Sequence, residues 1–172
     1  MKQDEIKDLG VAIGTKAPDF TANTTMGELK LSDYNGKWLV LFSHPGAFTE
    51  VCTTEFISFA KSNPKVEALN TSLMALNTDS NTANLAWINY IYKDNDVIIP
   101  FPVISDKMGL IARKYGMMPT EDNQSSLSRN IFFIDPNQII RVILVYPNII
   151  SRSIDEIIRI VKALQVTDEY HK

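Results

Sequence analysis

An apolar segment that leads directly into a loop and a helix limits most strongly what this chain can fold into. Residues 37–43 follow Gly36 and are polar only at their two ends. Such a near-continuous apolar run predicts a strand that is buried on both faces of a sheet. The loop of residues 45–52 comes directly after this strand, and we expect a helix to begin near Val51 or Cys52.

The helix after this loop is predicted from its apolar spacing. Phe56, Phe59 and Ala60 stand at i, i+3 and i+4, which places them on one helical face. Asn63 followed by Pro64 predicts the end of the helix, because the residue before a proline avoids helical backbone angles.

A second strand and a second helix follow. Residues 72–77 are the strand candidate, and Asp79 and Ser80 are suitable caps for the helix. One stripe of this helix is expected to face the core, and it consists of Leu85, Ile88 and Tyr92.

A third helix is predicted between a capping pair, Ser105 and Asp106, and Gly116, which suits the position just after a helix. Its apolar positions at i, i+3, i+4 and i+7 are Met108, Ile111, Ala112 and Tyr115.

The C-terminal part predicts a hairpin and a final helix. Strand candidates 130–134 and 138–146 flank Asp135-Pro136-Asn137, which suits a type I turn, so the two strands should be antiparallel. Residues 153–156 form a capping box at the start of the helix. The apolar stripe of that helix is Ile154, Ile157, Ile158, Val161 and Leu164.

These elements together indicate an α/β fold. Residues 20–31 read as an N-terminal β-hairpin that turns at residues 25–27, and the remaining order is β-α-β-α, then α-β-β-α. That order implies a central mixed β-sheet flanked by helices, the outline of a thioredoxin-like fold. At 172 residues without a linker, the chain is expected to form one domain over residues 1–172.

Charge and composition exclude several classes of protein. Lys plus Arg number 17 and Asp plus Glu 20, so no basic excess favours nucleic acid. No apolar run is long enough to span a membrane, and residues 1–10 lack the apolar core of a secretory signal. A single cysteine without such a signal fits a reducing, cytoplasmic location.

Cys52 is the only cysteine, so it cannot form an intramolecular disulfide. It could act as a nucleophile, as a lone ligand or in a bond to another molecule, or it could be a buried apolar residue. A free thiol is only roughly 3 % thiolate at pH 7, so a reactive cysteine needs neighbours that favour the anion. A helix N-terminus, the Thr49 hydroxyl and Arg129 at the start of an apolar strand are candidates, although Thr49 could be a cap and Arg129 a solvated arginine.

Pro45-x-x-x-Thr49-x-x-Cys52 resembles the active-site signature of peroxiredoxins, and His44 before it is similar to the one-cysteine, peroxiredoxin-6-like branch. The similarity covers roughly residues 10–168. Its further segments are residues 18–25, 85–87, 100–102, 129–136 and 146–165.

The resemblance implies a thiol peroxidase in which Cys52 attacks a hydroperoxide and becomes a sulfenic acid. It implies that Thr49 and the Cys52 amide bind the peroxide oxygens and that Pro45 shields the pocket. Arg129 would stabilise both the thiolate and the charge that develops as the O–O bond breaks. No cofactor and no metal are implied, because the sulfur is the redox centre.

Three further residues are implied in support. Glu55 and Arg152 would form an ion-pair network that aims Arg129, and His44 would hydrogen-bond the cysteine sulfur. With no second cysteine, the reductant should be an external thiol: glutathione, a small thiol, or a thioredoxin- or glutaredoxin-like protein.

The resemblance also implies a homodimer, with a larger ring as the alternative, and residues 142–146 are a candidate sheet edge for it. The branch usually continues beyond the point where this chain reaches Lys172, so dimer contacts of such an arm are expected to be missing. Residues 35–39 hold no serine of the lipase-like element found in mammalian members, which predicts no phospholipase activity.

Two other functions remain open at the level of sequence. A peroxide sensor or redox-gated holdase chaperone would use Cys52 oxidation to change assembly, without efficient turnover. A thiol–disulfide oxidoreductase would share the fold, but the chain has no Cys-x-x-Cys pair to release a mixed disulfide.

Overall fold

A computed structural model describes residues 11–118 and 127–171. Its strands are β1 (Thr21–Thr24), β2 (Gly27–Lys30), β3 (Trp38–Ser43), β4 (Thr71–Asn77), β5 (Val103–Ser105), β6 (Arg129–Ile134) and β7 (Ile140–Tyr146). Its helices are α1 (Glu50–Glu67), α2 (Asn81–Asn95), α3 (Leu110–Lys114) and α4 (Ile154–Tyr170), and a short 3₁₀ turn spans Leu31–Tyr34.

The strands form one mixed, seven-stranded sheet in the order β2-β1-β5-β4-β3-β6-β7. β3 lies near the centre, parallel to β4 and antiparallel to β6. All six residues of β3 are buried, as its apolar run predicts for a strand covered on both faces. The register places Phe42 beside Ile131, so the ends of β3 and β6 that flank the cysteine loop lie together.

Both predicted hairpins are confirmed. β1 and β2 pair antiparallel with Thr24 opposite Gly27. β6 and β7 pair antiparallel around the turn at Pro136, and β7 is an edge strand of the sheet. Gln138 closes this turn with a positive φ of 64°, and its side-chain amide donates to the Leu31 carbonyl, a contact that compensates for the strained backbone.

The prediction that Asn63 and Pro64 end the first helix is wrong. α1 continues through Pro64 to Glu67. Continuing the helix buries Val66 in the core, and Asn63 Nδ2 donates to Glu67 Oε1 at 3.1 Å across the last turn. These gains offset the cost of a proline inside a helix, which is about 3 kcal/mol.

The predicted core stripe of α2 is wrong at two of its three positions, and only Ile88 packs against the core. Leu85 and Tyr92 are each about half exposed, at 47 % and 48 %. The buried residues are instead Asn84, Trp87 and Ile91. The buried face of α2 is rotated relative to the predicted face, because a buried hydrogen-bond partner lets the polar side chain of Asn84 face the interior.

Predictions for the other two helices hold in part, because the third helix begins at Leu110 rather than directly after the predicted cap Ser105 and Asp106. The Asp106 carboxylate accepts hydrogen bonds from the first turn of α3, at 2.8 Å from the Ala112 amide, but Met108 is exposed and lies before the helix. Ser153 caps α4 by accepting from the Glu156 amide. The α4 residues that pack on the sheet include the predicted Ile154, Ile157, Ile158 and Val161.

The sheet separates two apolar clusters. One holds Cys52 with α1, α2 and α4, and the other holds the N-terminal hairpin and α3. Over residues 11–118 and 127–171, no helix has both the length and the apolarity that crossing a membrane requires.

Candidate active site around Cys52

Cys52 lies in the first turn of α1 and is fully buried. The helix begins at Glu50, one or two residues before the predicted start, because Thr49 acts as its N-cap. Thr49 Oγ1 accepts a hydrogen bond from the Cys52 backbone amide at 3.3 Å. The sulfur therefore sits beside the positive end of the helix dipole.

Arg129 contacts the sulfur directly. Its Nη2 lies 3.3 Å from Cys52 Sγ, although 77 positions separate the two residues in sequence. The antiparallel pairing of β6 with β3 brings the first residue of β6 to this end of the sheet. Arg129 Nε donates to the Asn148 carbonyl at 2.8 Å, which fixes the guanidinium while the side chain is almost completely buried.

Glu55 holds two arginines together, one helical turn after Cys52. Arg129 Nη1 lies 3.2 Å from Glu55 Oε1. Arg152 Nε donates to Glu55 Oε2 at 2.9 Å, and Arg152 Nη2 donates to Oε1. All three side chains are buried, so this ion-pair network is shielded from water.

The charges around the sulfur do not balance. Two guanidinium groups face one carboxylate, which leaves an excess of positive charge in a buried region that adjoins Cys52. A nearby cation favours the charged form of an acid, so this environment suits a thiolate. Within the described ranges, no three His, Cys, Asp or Glu side chains come close enough together to bind a metal ion.

The loop before the helix is tied to the segment between β4 and α2 by Asp79, a residue that the sequence suggested only as a cap. The Ala47 amide donates to Asp79 Oδ2 at 2.7 Å, and Thr49 Oγ1 donates to the Gly46 carbonyl at 3.3 Å. Between them, Phe48 adopts a positive φ of 64°. Pro45 is partly buried at the start of this loop.

His44 is fully buried at the other end of the loop, but it faces an asparagine rather than the sulfur. Its Nε2 lies 3.4 Å from Asn77 Nδ2, and its ring packs against Phe56 and Trp87. Burial, and then the charges of Arg152 and Arg129, lower the pKa of His44 well below 6.5. The ring is therefore neutral at pH 7.

Comparison with known proteins decides the family. The model of the AhpC/TSA family matches residues 13–143. Peroxiredoxin 2 of Caldanaerobacter subterraneus subsp. tengcongensis is 54 % identical over 158 residues, which are 92 % of this chain and 72 % of that protein. The chain belongs to the peroxiredoxin family. Relatives at this identity make it a thiol peroxidase, with a hydroperoxide substrate and a thiol reductant, and its single cysteine fits a one-cysteine mechanism.

Solved peroxiredoxins share the thioredoxin-like fold. The yeast mitochondrial 1-Cys peroxiredoxin superposes with a TM-score of 0.86 at 37 % identity, over 92 % of this chain and 78 % of that one. A cysteine-to-serine mutant of peroxiredoxin 6 of Arenicola marina gives a TM-score of 0.85 at 31 % identity, over 92 % and 76 % of the two chains. The prediction of this fold is therefore confirmed.

The structure brings all seven residues singled out in the sequence to one end of the peroxiredoxin sheet. It adds three that sequence reasoning missed: Asn77, Asp79 as a loop anchor, and Asn84. The sequence indicated Asp79 only as a helix cap and did not single out Asn84. The sequence did not specify that β4 pairs with β3. This pairing places Asn77 beside His44, at the start of the cysteine loop.

Proposed function

We propose that the Cys52 thiolate attacks the terminal oxygen of hydrogen peroxide or an alkyl hydroperoxide. The S–O bond forms as the O–O bond breaks, the sulfur is oxidised to a sulfenic acid, and the leaving oxygen takes a proton to become water or an alcohol. The observation that carries this proposal is the 3.3 Å contact between Arg129 Nη2 and Cys52 Sγ in a buried, positively charged environment.

Arg129, Thr49 and Pro45 complete the proposed catalytic group with Cys52. Arg129 can stabilise the negative charge first on the sulfur and then on the leaving oxygen, because its planar guanidinium presents several N–H donors. Thr49 and the Cys52 amide, now hydrogen-bonded to each other at 3.3 Å, would turn to the two peroxide oxygens. Pro45 offers no N–H of its own and would exclude water from the pocket.

Glu55, Arg152 and His44 are proposed as supporting residues. Glu55 fixes one edge of the Arg129 guanidinium, and Arg152 neutralises the remaining charge of Glu55. This leaves the other edge of Arg129 free to face the sulfur. The Nε2 atom of His44 faces Asn77 and its Nδ1 atom makes no hydrogen bond to the sulfur, so its support would act through the loop that it precedes.

Recycling requires a thiol from outside the chain. That thiol attacks the sulfenic sulfur and releases water, and a second thiol then reduces the mixed disulfide to restore the Cys52 thiolate. The yeast 1-Cys peroxiredoxin is described as resolved through glutathione and thioredoxin systems. We propose glutathione, or a thioredoxin- or glutaredoxin-like protein, as the reductant here. Because Cys52 is fully buried, the first turn of α1 must open for this step.

The proposed setting is a cytoplasmic antioxidant that maintains redox homeostasis as one domain per chain. The proposed assembly is a homodimer, with a larger ring as the alternative. Its support is that β7 is an edge strand with Val145 exposed, and an open edge offers unpaired backbone groups to a second copy.

Peroxide turnover tests the proposal. Purified protein is supplied with hydrogen peroxide or cumene hydroperoxide and, in turn, glutathione with glutaredoxin or thioredoxin with its reductase. We expect sustained peroxide consumption with at least one reductant and none in Cys52→Ser. Consumption that persists in Cys52→Ser would contradict the proposed nucleophile, and a single oxidation per chain with every reductant would favour the sensor function.

A further inference from the structure

Two asparagines form a closed, fully buried pair beside the cysteine loop. Asn77, the last residue of β4, donates through Nδ2 to Asn84 Oδ1 at 2.7 Å. Asn84, in the first turns of α2, donates through Nδ2 to Asn77 Oδ1 at 3.0 Å. Buried polar groups are tolerated when they are hydrogen-bonded, and a satisfied network has one defined geometry.

A backbone group fixes which way the Asn77 amide points. The Asp79 amide, which can only donate, contacts the same Asn77 atom as Asn84 Nδ2, at 3.2 Å. That atom must therefore be the oxygen. The other end of the amide, Nδ2, then faces His44 Nε2 at 3.4 Å. Since an amide N–H₂ group has no lone pair to accept with, His44 Nε2 must be the acceptor.

The acceptor at Nε2 determines where the His44 hydrogen lies. A neutral imidazole carries one N–H, so an unprotonated Nε2 puts that hydrogen on Nδ1. His44 Nδ1 is buried and has no hydrogen-bond partner among the described residues. Burial lowers the pKa of His44, whereas the backbone of Gly46, within the cysteine loop, raises it.

We propose that Asn77 and Asn84 are positioning residues that hold His44 in its Nδ1–H form, so that the ring presents a donor to the cysteine loop. The loop can pass this interaction to the reaction centre. The Gly46 carbonyl accepts from Thr49 Oγ1, which in turn accepts from the Cys52 amide. The consequence for peroxide reduction rests on the proposed function, whereas the position of the hydrogen does not.

The hydrogen can be located by NMR in the resting protein. The chain has two histidines, and His171 lies exposed near the C-terminus, so protein labelled with ¹⁵N-histidine gives only two imidazoles to assign. We expect the His44 ring to show a protonated Nδ1 and an unprotonated Nε2 at pH 7. A protonated Nε2 in the wild-type protein would overturn the proposal without any variant.

Asn77→Asp changes the group that faces Nε2 from a donor to an acceptor at nearly constant shape. We expect His44 Nε2 to gain a hydrogen in this variant. Asn95→Asp, which places the same charge at the exposed end of α2, should retain the wild-type pattern. An Nε2 that stays unprotonated in folded Asn77→Asp would overturn the assignment, and if that variant does not fold, the wild-type spectrum still decides.

Measuring the rate of Cys52 oxidation distinguishes a failure of this proposal from a failure of the proposed function. The rate constant for Cys52 oxidation by peroxide should fall by about fivefold to tenfold in Asn77→Asp, the effect of about one hydrogen bond, and stay at the wild-type value in Asn95→Asp. An unchanged rate together with a changed hydrogen position would refute the effect on the loop. Absence of peroxide reactivity in the wild-type protein would instead refute the proposed function and leave the NMR result standing.

Discussion

Arg152 binds the carboxylate of Glu55 through three separate groups. Its Nε and Nη2 and its own backbone amide all donate to the two carboxylate oxygens. Arg129 uses only one donor, Nη1, on the same carboxylate, and this leaves Nη2 directed at the Cys52 sulfur. Glu55 is thus oriented mainly by Arg152 and in turn orients Arg129.

Glu55→Gln tests the structural importance of this carboxylate. The variant removes the carboxylate that lies between two buried guanidinium groups, so we expect the free energy of unfolding to fall by about 3–5 kcal/mol in denaturant titrations. Glu156→Gln, which breaks the exposed pair of Glu156 with Arg159, is the matched control and should unfold like the wild type. Equal stability of the two variants would contradict the role of Glu55.

Arg129→Lys tests the contact with the sulfur. A lysine ammonium cannot span both Glu55 and Cys52, so the charge that develops during O–O cleavage loses its donor. We expect stopped-flow oxidation by hydrogen peroxide to slow by about 10²–10³-fold. Arg159→Lys, at an exposed position on α4, should keep the wild-type rate. A folded Arg129→Lys protein with unchanged kinetics would rule out this contribution.

Asp79→Ala tests the anchor of the cysteine loop. It removes the acceptor of the Ala47 amide, a charged hydrogen bond that contributes about 1.5–3 kcal/mol. We expect Cys52 to become about tenfold more reactive toward iodoacetamide, because the loop opens more often, while peroxide oxidation slows. The control is Glu28→Ala, an exposed carboxylate on β2. If alkylation of Cys52 is the same in both variants, Asp79 does not hold the loop.

The neutral His44 ring makes stability depend on pH. In the unfolded chain the histidine binds a proton below about pH 6.5, whereas burial and then the charges of Arg152 and Arg129 lower the pKa of the folded state well below that value. The unfolded state therefore holds more protons between these two pKa values. Stability should be independent of His44 above pH 6.5 and should fall as the pH is lowered from there toward the folded pKa.

Urea unfolding of His44→Asn between pH 5.5 and 7.5 checks this linkage. The wild type should lose up to about 1.4 kcal/mol per pH unit more than the variant on the acidic side of pH 6.5. His171→Asn removes the other, exposed histidine and should follow the wild type. Parallel curves for His44→Asn and the wild type would show that His44 is not held neutral.

The sequence predicted those elements whose signals are local. The apolar run of β3, the turn at Pro136 and the cap of α4 at Ser153 each depend on a few neighbouring residues. The end of α1 was not predictable in this way. The cost of Pro64 is local, but the burial of Val66 that compensates for it depends on the packed core.

The site residues likewise divide into those that local sequence predicts and those that depend on contacts between distant elements. Cys52 and Thr49 are brought together by the local start of a helix. Arg129 could be proposed because a charge at the start of an apolar strand has no packing reason to be there. The buried pairing of Asn84 with Asn77 could not be foreseen, because an asparagine on a helix normally faces solvent and its partner lies on another element.

Trapping the oxidised cysteine tests the central claim most directly. One equivalent of hydrogen peroxide is added to the reduced protein without any reductant, in the presence of dimedone, and the peptides are analysed by mass spectrometry. The account predicts one dimedone adduct per chain, located on Cys52, in an amount equal to the peroxide consumed, and none in Cys52→Ser. Peroxide consumption that leaves Cys52 unmodified would contradict it.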